Sequence, residues 1–144
     1  MNRFIKPLIA LLFFTLAGSG ASLASGLQNS LSTDVVGWAQ LDPNVQYERR
    51  LSNLFSLGAG LSADAQDWGS GFVLTPFARF APMGALREGV QLQAGGYLPM
   101  RDDVLLELGA GYSLWVDRIH LTPMLLWRND QSLRAQVQVG WGWF

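Results

Sequence analysis

VLLELGAGYSLWV, residues Val104–Val116, is the stretch on which the fold turns. One parity reads Val104, Leu106, Leu108, Ala110, Tyr112, Leu114, Val116; the other reads Leu105, Glu107, Gly109, Gly111, Ser113, Trp115. A β-strand sends successive side chains to opposite faces. The segment is therefore a strand with one continuous apolar face and one face of small or polar groups. The end of the chain repeats the pattern, with Ala135, Val137, Val139, Trp141 and Trp143 opposed by Arg134, Gln136, Gln138, Gly140 and Gly142. A soluble sheet can alternate in the same way. The start of the chain and the placement of aromatic residues decide between the two.

The chain opens MNRFIKPLIALLFFTLAGSGASLASG. Arg3 and Lys6 give a positive start, Leu8 to Ala17 is an apolar run, and Ser22 and Ala24 precede a cut after Ala24. That is the pattern of a cleaved signal peptide, and its apolar run is shorter than the ~20 residues a bilayer-spanning helix needs. Residues 1–24 are read as signal peptide and 25–144 as a single domain. No cysteine occurs in the chain, so neither a lipid-anchored cysteine nor a disulfide framework is expected. After the leader, eight arginines stand against eleven acidic residues. That balance offers no basic patch for nucleic acid.

Eight segments with strand character follow: Thr33–Leu41, Val45–Arg50, Leu54–Ala63, Phe72–Phe80, Gly89–Leu98, Val104–Val116, Ile119–Arg128 and Arg134–Trp143. Thr33–Arg50 also reads as one long strand bent at Pro43. Most are near the ~9–11 residues of a tilted membrane strand, and bacterial single-chain barrels have even strand numbers. The expected fold is all-β: a small antiparallel transmembrane β-barrel of eight strands, lipid outside, charges inside. Pro76 and Pro123, in LTPFARF and LTPMLLW, sit on the apolar parity and conflict with central strands, since proline cannot donate to a ladder.

Parity and strand direction place Tyr47, Phe55, Phe80, Trp141 and Trp143 at the periplasmic rim of the apolar face, with Phe72 and Trp127 at the outer rim. Amphipathic rings anchor at headgroup level in this way, which makes outer-membrane lipids the expected partner of a monomeric barrel. The opposite parity gathers Glu107, Arg128 and Arg134 near the outer end, and Glu48, Arg50, Arg79 and His120 near the periplasmic end. A buried unpaired charge costs several kcal/mol. Glu107 is therefore expected to bridge Arg128 and Arg134, and Glu48 to pair with Arg50 or Arg79. Inward glycines at 58, 60, 95, 109, 111, 140 and 142 leave room for long side chains, so the lumen is expected to be filled. Leu105, Leu126, Met124 and Phe77 share the inward parity and offer a second reading, an apolar pocket for small molecules.

Signals for chemistry are sparse. The single histidine, His120, could meet Ser113 on the adjacent strand with Glu48 as orienting acid, but these parities point into the lumen and not to the lipid boundary. No catalytic site, cofactor or metal is expected; Asp64 and Asp67 are read as solvated loop acids.

NVQYERRLSNLFSLGAGLSA (Asn44–Ala63), GAGYSL (Gly109–Leu114) and the terminal QVGWGWF resemble the small eight-stranded outer-membrane barrels of the OmpA/OmpX/OmpW-like group. The resemblance implies outer-membrane localisation and a non-enzymatic structural or envelope role. It also implies that Phe144 is similar to the C-terminal aromatic read by the outer-membrane assembly machinery. In that signal the apolar alternation shares the parity of the last residue; here it falls on Val139, Trp141 and Trp143, so Phe144 either lies beyond the regular strand or is read despite the offset. The leader gives the first testable outcome. Intact-mass measurement on membrane-extracted protein should show a chain beginning at Ser25, and a chain retaining Met1 contradicts the cleavage.

Overall fold

The computed structural model describes residues 29–63, 71–82, 88–100 and 102–143. The signal segment, the loop with Asp64 and Asp67, residues 83–87 and Phe144 lie outside them. Eight strands close into one antiparallel barrel in sequence order. They are β1 (Asn29–Asp34), β2 (Asn44–Arg50), β3 (Phe55–Ala63), β4 (Phe72–Phe80), β5 (Gly89–Pro99), β6 (Leu105–Val116), β7 (Ile119–Arg128) and β8 (Leu133–Trp143). A one-turn helix, α1 (Val35–Ala39), follows β1. The base of the barrel is the end where β1 begins and β8 finishes; the opposite end is the mouth.

Register fixes the geometry. Trp143 pairs with Asn29, Asn29 with Arg49, Arg49 with Leu57, Leu57 with Ala78, Ala78 with Ala94, Ala94 with Leu108, Leu108 with Trp127, and Trp127 with Leu133. One circuit thus returns to β8 ten residues from its start, a shear of ten. With ~3.3 Å per residue and ~4.8 Å between strands, that shear tilts the strands by about 41°. β8 has 11 residues, so it climbs about 27 Å, against the ~25 Å apolar band of a membrane barrel.

The faces are inverted relative to a soluble barrel. Among the described residues, fifteen polar or charged side chains are buried and only six hydrophobic ones are. Twenty-six large apolar side chains are more than a third exposed, Leu106, Leu108, Leu125 and Trp141 among them. That outer surface is far more continuous than the ~300–600 Å² patch usual on a soluble monomer.

The first strand departs from the sequence reading. Of the expected strand Thr33–Leu41 only Thr33 and Asp34 are extended: β1 begins earlier, at Asn29, and ends at Asp34, and Val35–Ala39 is helical. The reason is local capping. The Asp34 carboxylate accepts the Val36 N–H at 3.1 Å, as an N-cap does, and turns the chain out of the ladder. Ser30 and Ser32 carry no strand signal in the sequence because they are small and polar. They point inward beside Gly142 and Gly140, where small groups leave space for the Trp115 and His120 rings.

The two prolines sit where a ladder is interrupted. The β4–β5 pairing runs to Leu74↔Leu98 and resumes at Phe77↔Gly95 in unchanged register, leaving Pro76 in the gap. The β6–β7 pairing breaks likewise between Gly111↔Met124 and Leu114↔Leu121, around Pro123. Neither is a bulge, because the register is the same on both sides. Each proline removes a donor from one side of its strand only.

The base turn between β6 and β7 spans only residues 117 and 118. Asp117 takes a positive φ of 56° in the 117–118 turn, a conformation its short polar side chain tolerates. At the mouth, Asp130 accepts from the Ser132 hydroxyl at 2.6 Å and its N–H at 2.9 Å, which holds the Asp130 carboxyl below the usual carboxylate range.

Inward glycines face large inward side chains on the next strand: Gly58 faces Phe77, Gly109 faces Leu126, and Gly111 faces Met124. A methyl at Gly58 would stand 2.3 Å from the Phe77 ring and 2.6 Å from the Tyr47 carbonyl oxygen. Gly58→Ala should therefore lower the unfolding free energy in micelles by about 1–3 kcal/mol. Ala110→Val, on the outer face, should change it by less than about 0.5 kcal/mol. Equal effects in urea titrations would contradict this assignment of inside and outside.

Candidate functional site

The chemistry-bearing side chains lie inside the barrel, arranged in layers. The central one is built on Arg79 of β4, 2% exposed. Its Nη1 pairs with Glu48 Oε2 of β2 at 2.5 Å, its Nε donates to Gln93 Oε1 of β5 at 2.9 Å, and its Nη2 donates to Gln138 Oε1 of β8 at 2.6 Å. The Ser56 hydroxyl of β3 donates to the other Glu48 oxygen, and Gln138 Nε2 donates to Gln46 Oε1 at 2.8 Å. The Arg79 guanidinium also stands 4.7 Å from the Phe77 ring centroid. One guanidinium thereby ties β4 to three other strands, including β8 on the far wall. Arginine suits this place because its five donors are held in a fixed planar fork and need not lose their charge when desolvated.

Towards the mouth, Arg128 Nε pairs with Glu107 Oε2 at 3.0 Å and covers the Tyr97 ring at 3.8 Å. Arg134 does not join Glu107. It pairs with Asp34 at 3.3 Å and with Asp42 at 2.7 Å. The cause is again the turn at Asp34: once β1 ends there, two acids flanking α1 come over the β8 side of the lumen. Asp34, fully buried, also accepts the Val137 N–H at 2.9 Å. Neither acid stood out in the sequence, although an aspartate immediately before VVGWA is an N-cap signal.

Arg50 also leaves the expected network. As the last residue of β2 it folds over the base turn, donating to Ser52 O at 3.0 Å and to Asn53 Oδ1 at 2.6 Å. Chain ends at a turn supply free carbonyls that a long guanidinium reaches more readily than the lumen centre.

At the base, Trp115 stacks on His120 with ring centroids 4.5 Å apart. His120 Nδ1 lies 3.4 Å from the Thr122 hydroxyl, which is 3.0 Å from that of Ser113. Thr122 thus stands between Ser113 and His120. All three are buried, at 1–3% exposure, behind the Trp115 ring and the inner face of β8.

Between the Arg79 layer and the mouth lies a small cavity of about 30 Å³. Its wall includes Gln46, Gln93, Glu107, Arg128, Arg134 and Gln136. Phe77 and Leu126 reach it, but Leu105 and Met124 do not, so the expected apolar pocket is instead a mainly polar one.

On the outer face, Phe55, Trp141 and Trp143 are exposed near the base, while Tyr47 and Phe80 are half-covered. Tyr47 donates to Asn29 Oδ1 at 2.8 Å, and Phe55 packs on Phe80 at 5.0 Å. Phe72 and Trp127 are exposed near the mouth. Trp38 of α1 adds a third ring there, 57% exposed, with its Nε1–H donating to Thr33 Oγ1 at 2.7 Å.

No known protein family, curated protein or solved structure matches the chain.

The layers differ in how much they can contribute. Removing one partner of a buried pair leaves a desolvated charge, at a cost of about 3–5 kcal/mol, whereas a partly exposed pair contributes about 0–1 kcal/mol. Glu48→Ala should therefore destabilise by about 3–5 kcal/mol, and Asp42→Ala by no more than about 1 kcal/mol. Glu48→Ala combined with Arg79→Met should recover a large part of the loss. A double-mutant cycle in urea measures the coupling, and additive single effects would contradict it.

Proposed function

We propose that the protein is an integral β-barrel of a bacterial outer membrane with a structural, envelope-supporting role and a lumen closed by its own side chains. The observation that carries this reading is the inversion of the two faces, with apolar rows outside and ionic and amide layers inside. In a bilayer every backbone polar group must be satisfied internally, which a closed barrel achieves. The climb of about 27 Å estimated from the shear and the strand length suits the ~25 Å apolar band. Aromatic rings at both ends of the outer face sit where headgroups would meet them. The sequence resemblance to small outer-membrane barrels points the same way. Partners on this reading are outer-membrane lipids and, during biogenesis, the assembly machinery, with the chain acting as a monomer and binding no nucleic acid.

The reading is non-enzymatic. Ser113, Thr122 and His120 are enclosed in the lumen wall, away from any lipid ester outside. Conduction is also disfavoured, because the Arg79 layer spans the cross-section from β4 to β8.

Two measurements test the proposal. Unboiled protein from outer-membrane fractions should migrate differently from boiled protein on a denaturing gel, and reconstituted protein should give no current steps in a planar bilayer. Recovery in the periplasmic supernatant with identical migration would overturn the membrane reading, and steady ohmic current would overturn the closed lumen.

A further inference from the structure

The outer face near the base is furrowed along β1. The outward residues of β1 there, Asn29 and Leu31, stand between taller side chains on both neighbouring strands. On β8, Trp143 pairs with Asn29 and Trp141 with Leu31; on β2, Arg49 pairs with Asn29 and Tyr47 with Leu31. With ~4.8 Å between strands, the two walls rise about 10 Å apart, which leaves room on the floor for a single hydrocarbon chain. Leu31, Trp141 and Trp143 are all exposed. The Tyr47 hydroxyl crosses the lower end of the furrow to Asn29 Oδ1, 2.8 Å away. The floor therefore turns from apolar to polar as it reaches the rim.

Two arginines flank that polar end. Arg49 belongs to the β2 wall, and Arg118, in the turn before β7, leans over β8 with its guanidinium 6.0 Å from the Trp141 ring centroid. Arg118 lies level with Gly142, whose N–H its carbonyl accepts at 2.8 Å. Three strand spacings from β7 to β2 then put the two arginine Cα atoms about 14 Å apart, a span that two arginine side chains can close around one group between them. Arg50 is turned away, held by Ser52 O and Asn53 Oδ1. The acids at this end are Asp117, beside Arg118, and Glu88, which precedes β5 on the opposite side of the barrel; Glu48 points inward to Arg79. Among the described residues this sector of the rim thus carries net positive charge, which selects for an anionic group. The planar guanidinium fork matches phosphate oxygens in particular.

We propose that the β1 furrow binds one anionic phospholipid of the leaflet at the base, with an acyl chain along Leu31 between Trp141 and Tyr47 and the phosphate held between Arg49 and Arg118. Amphipathic rings beside long cationic side chains suit the level at which a lipid passes from hydrocarbon to head. This rests on the membrane reading above, which supplies the lipid.

The test presents the full barrel in micelles, each variant checked for heat-modifiable migration, with equal amounts of phosphatidylglycerol and phosphatidylcholine of one chain length. Native mass spectrometry then counts the lipids retained. One phosphatidylglycerol per barrel is expected, about fivefold or more over phosphatidylcholine. Arg49→Gln combined with Arg118→Gln should bring the two lipids to parity, and Arg50→Gln should leave the preference unchanged. Leu31→Trp, which fills the floor and keeps both arginines, should lower retention of phosphatidylglycerol. Glycerol 3-phosphate at the same concentration should give no adduct. Equal retention of the two lipids by the unaltered barrel, a preference that survives the double substitution, or one lost as fully with Arg50→Gln overturns the phosphate site. A glycerol 3-phosphate adduct as abundant as that of phosphatidylglycerol, or unchanged retention in the Leu31→Trp variant, overturns the acyl furrow. Protein that migrates alike boiled and unboiled overturns the membrane reading, an outcome distinct from a folded barrel that lacks the lipid preference.

Discussion

A guanidinium with nowhere to go but the middle of a barrel sets the terms for everything around it. Arg79 is desolvated, keeps its charge, and carries five donors that must each find an acceptor. Glu48, Gln93 and Gln138 accept from three of them, each on a different strand. None of these can shift by one residue without reversing its face, so the buried cation helps fix register around the circuit. A lumen this narrow can hold such a side chain only if neighbours are small. The glycines and serines on the inward parity of β1, β3 and β8 are the complement of Arg79, Phe77, Trp115 and His120, not gaps in a pattern.

Odd–even position carried most of the architecture in the sequence. β2 through β8 read as strands because a tilted strand with one wet and one apolar face leaves a period of two over some ten residues. Glu107 meets Arg128 across adjacent strands, and Glu48 meets Arg79 across the intervening β3; both follow from inward parity together with the need to neutralise charge. Two things were less legible. Asn29–Asp34 is too polar and too small in its inward residues to advertise a strand, since its inward space belongs to rings from β6 and β7. The ion pairs of Arg134 depend on where the chain turns out of the sheet, and that turn is decided by a single capping bond from Asp34. The prolines looked like objections only while each strand was assumed to be bonded on both sides throughout.

The filled lumen is a consequence of the shear. With eight strands and ten residues of stagger, the interior has room for side chains but little more. Polar groups therefore fill it in layers, and among the described residues a small pocket towards the mouth is lined by Gln46, Gln93, Glu107, Arg128, Arg134 and Gln136. The filled layers support the structural role proposed above.

The central claim is that the apolar parity faces hydrocarbon and the polar parity faces the lumen. Because the chain has no cysteine, single cysteines can be placed in turn at Leu106 to Val116 and spin-labelled in bilayers. The account predicts that collision with dissolved oxygen rises at every even position and falls at every odd one, while a water-soluble relaxer reaches neither in the middle of the strand. Free access of the water-soluble relaxer to Leu108, Ala110 and Tyr112 would contradict it.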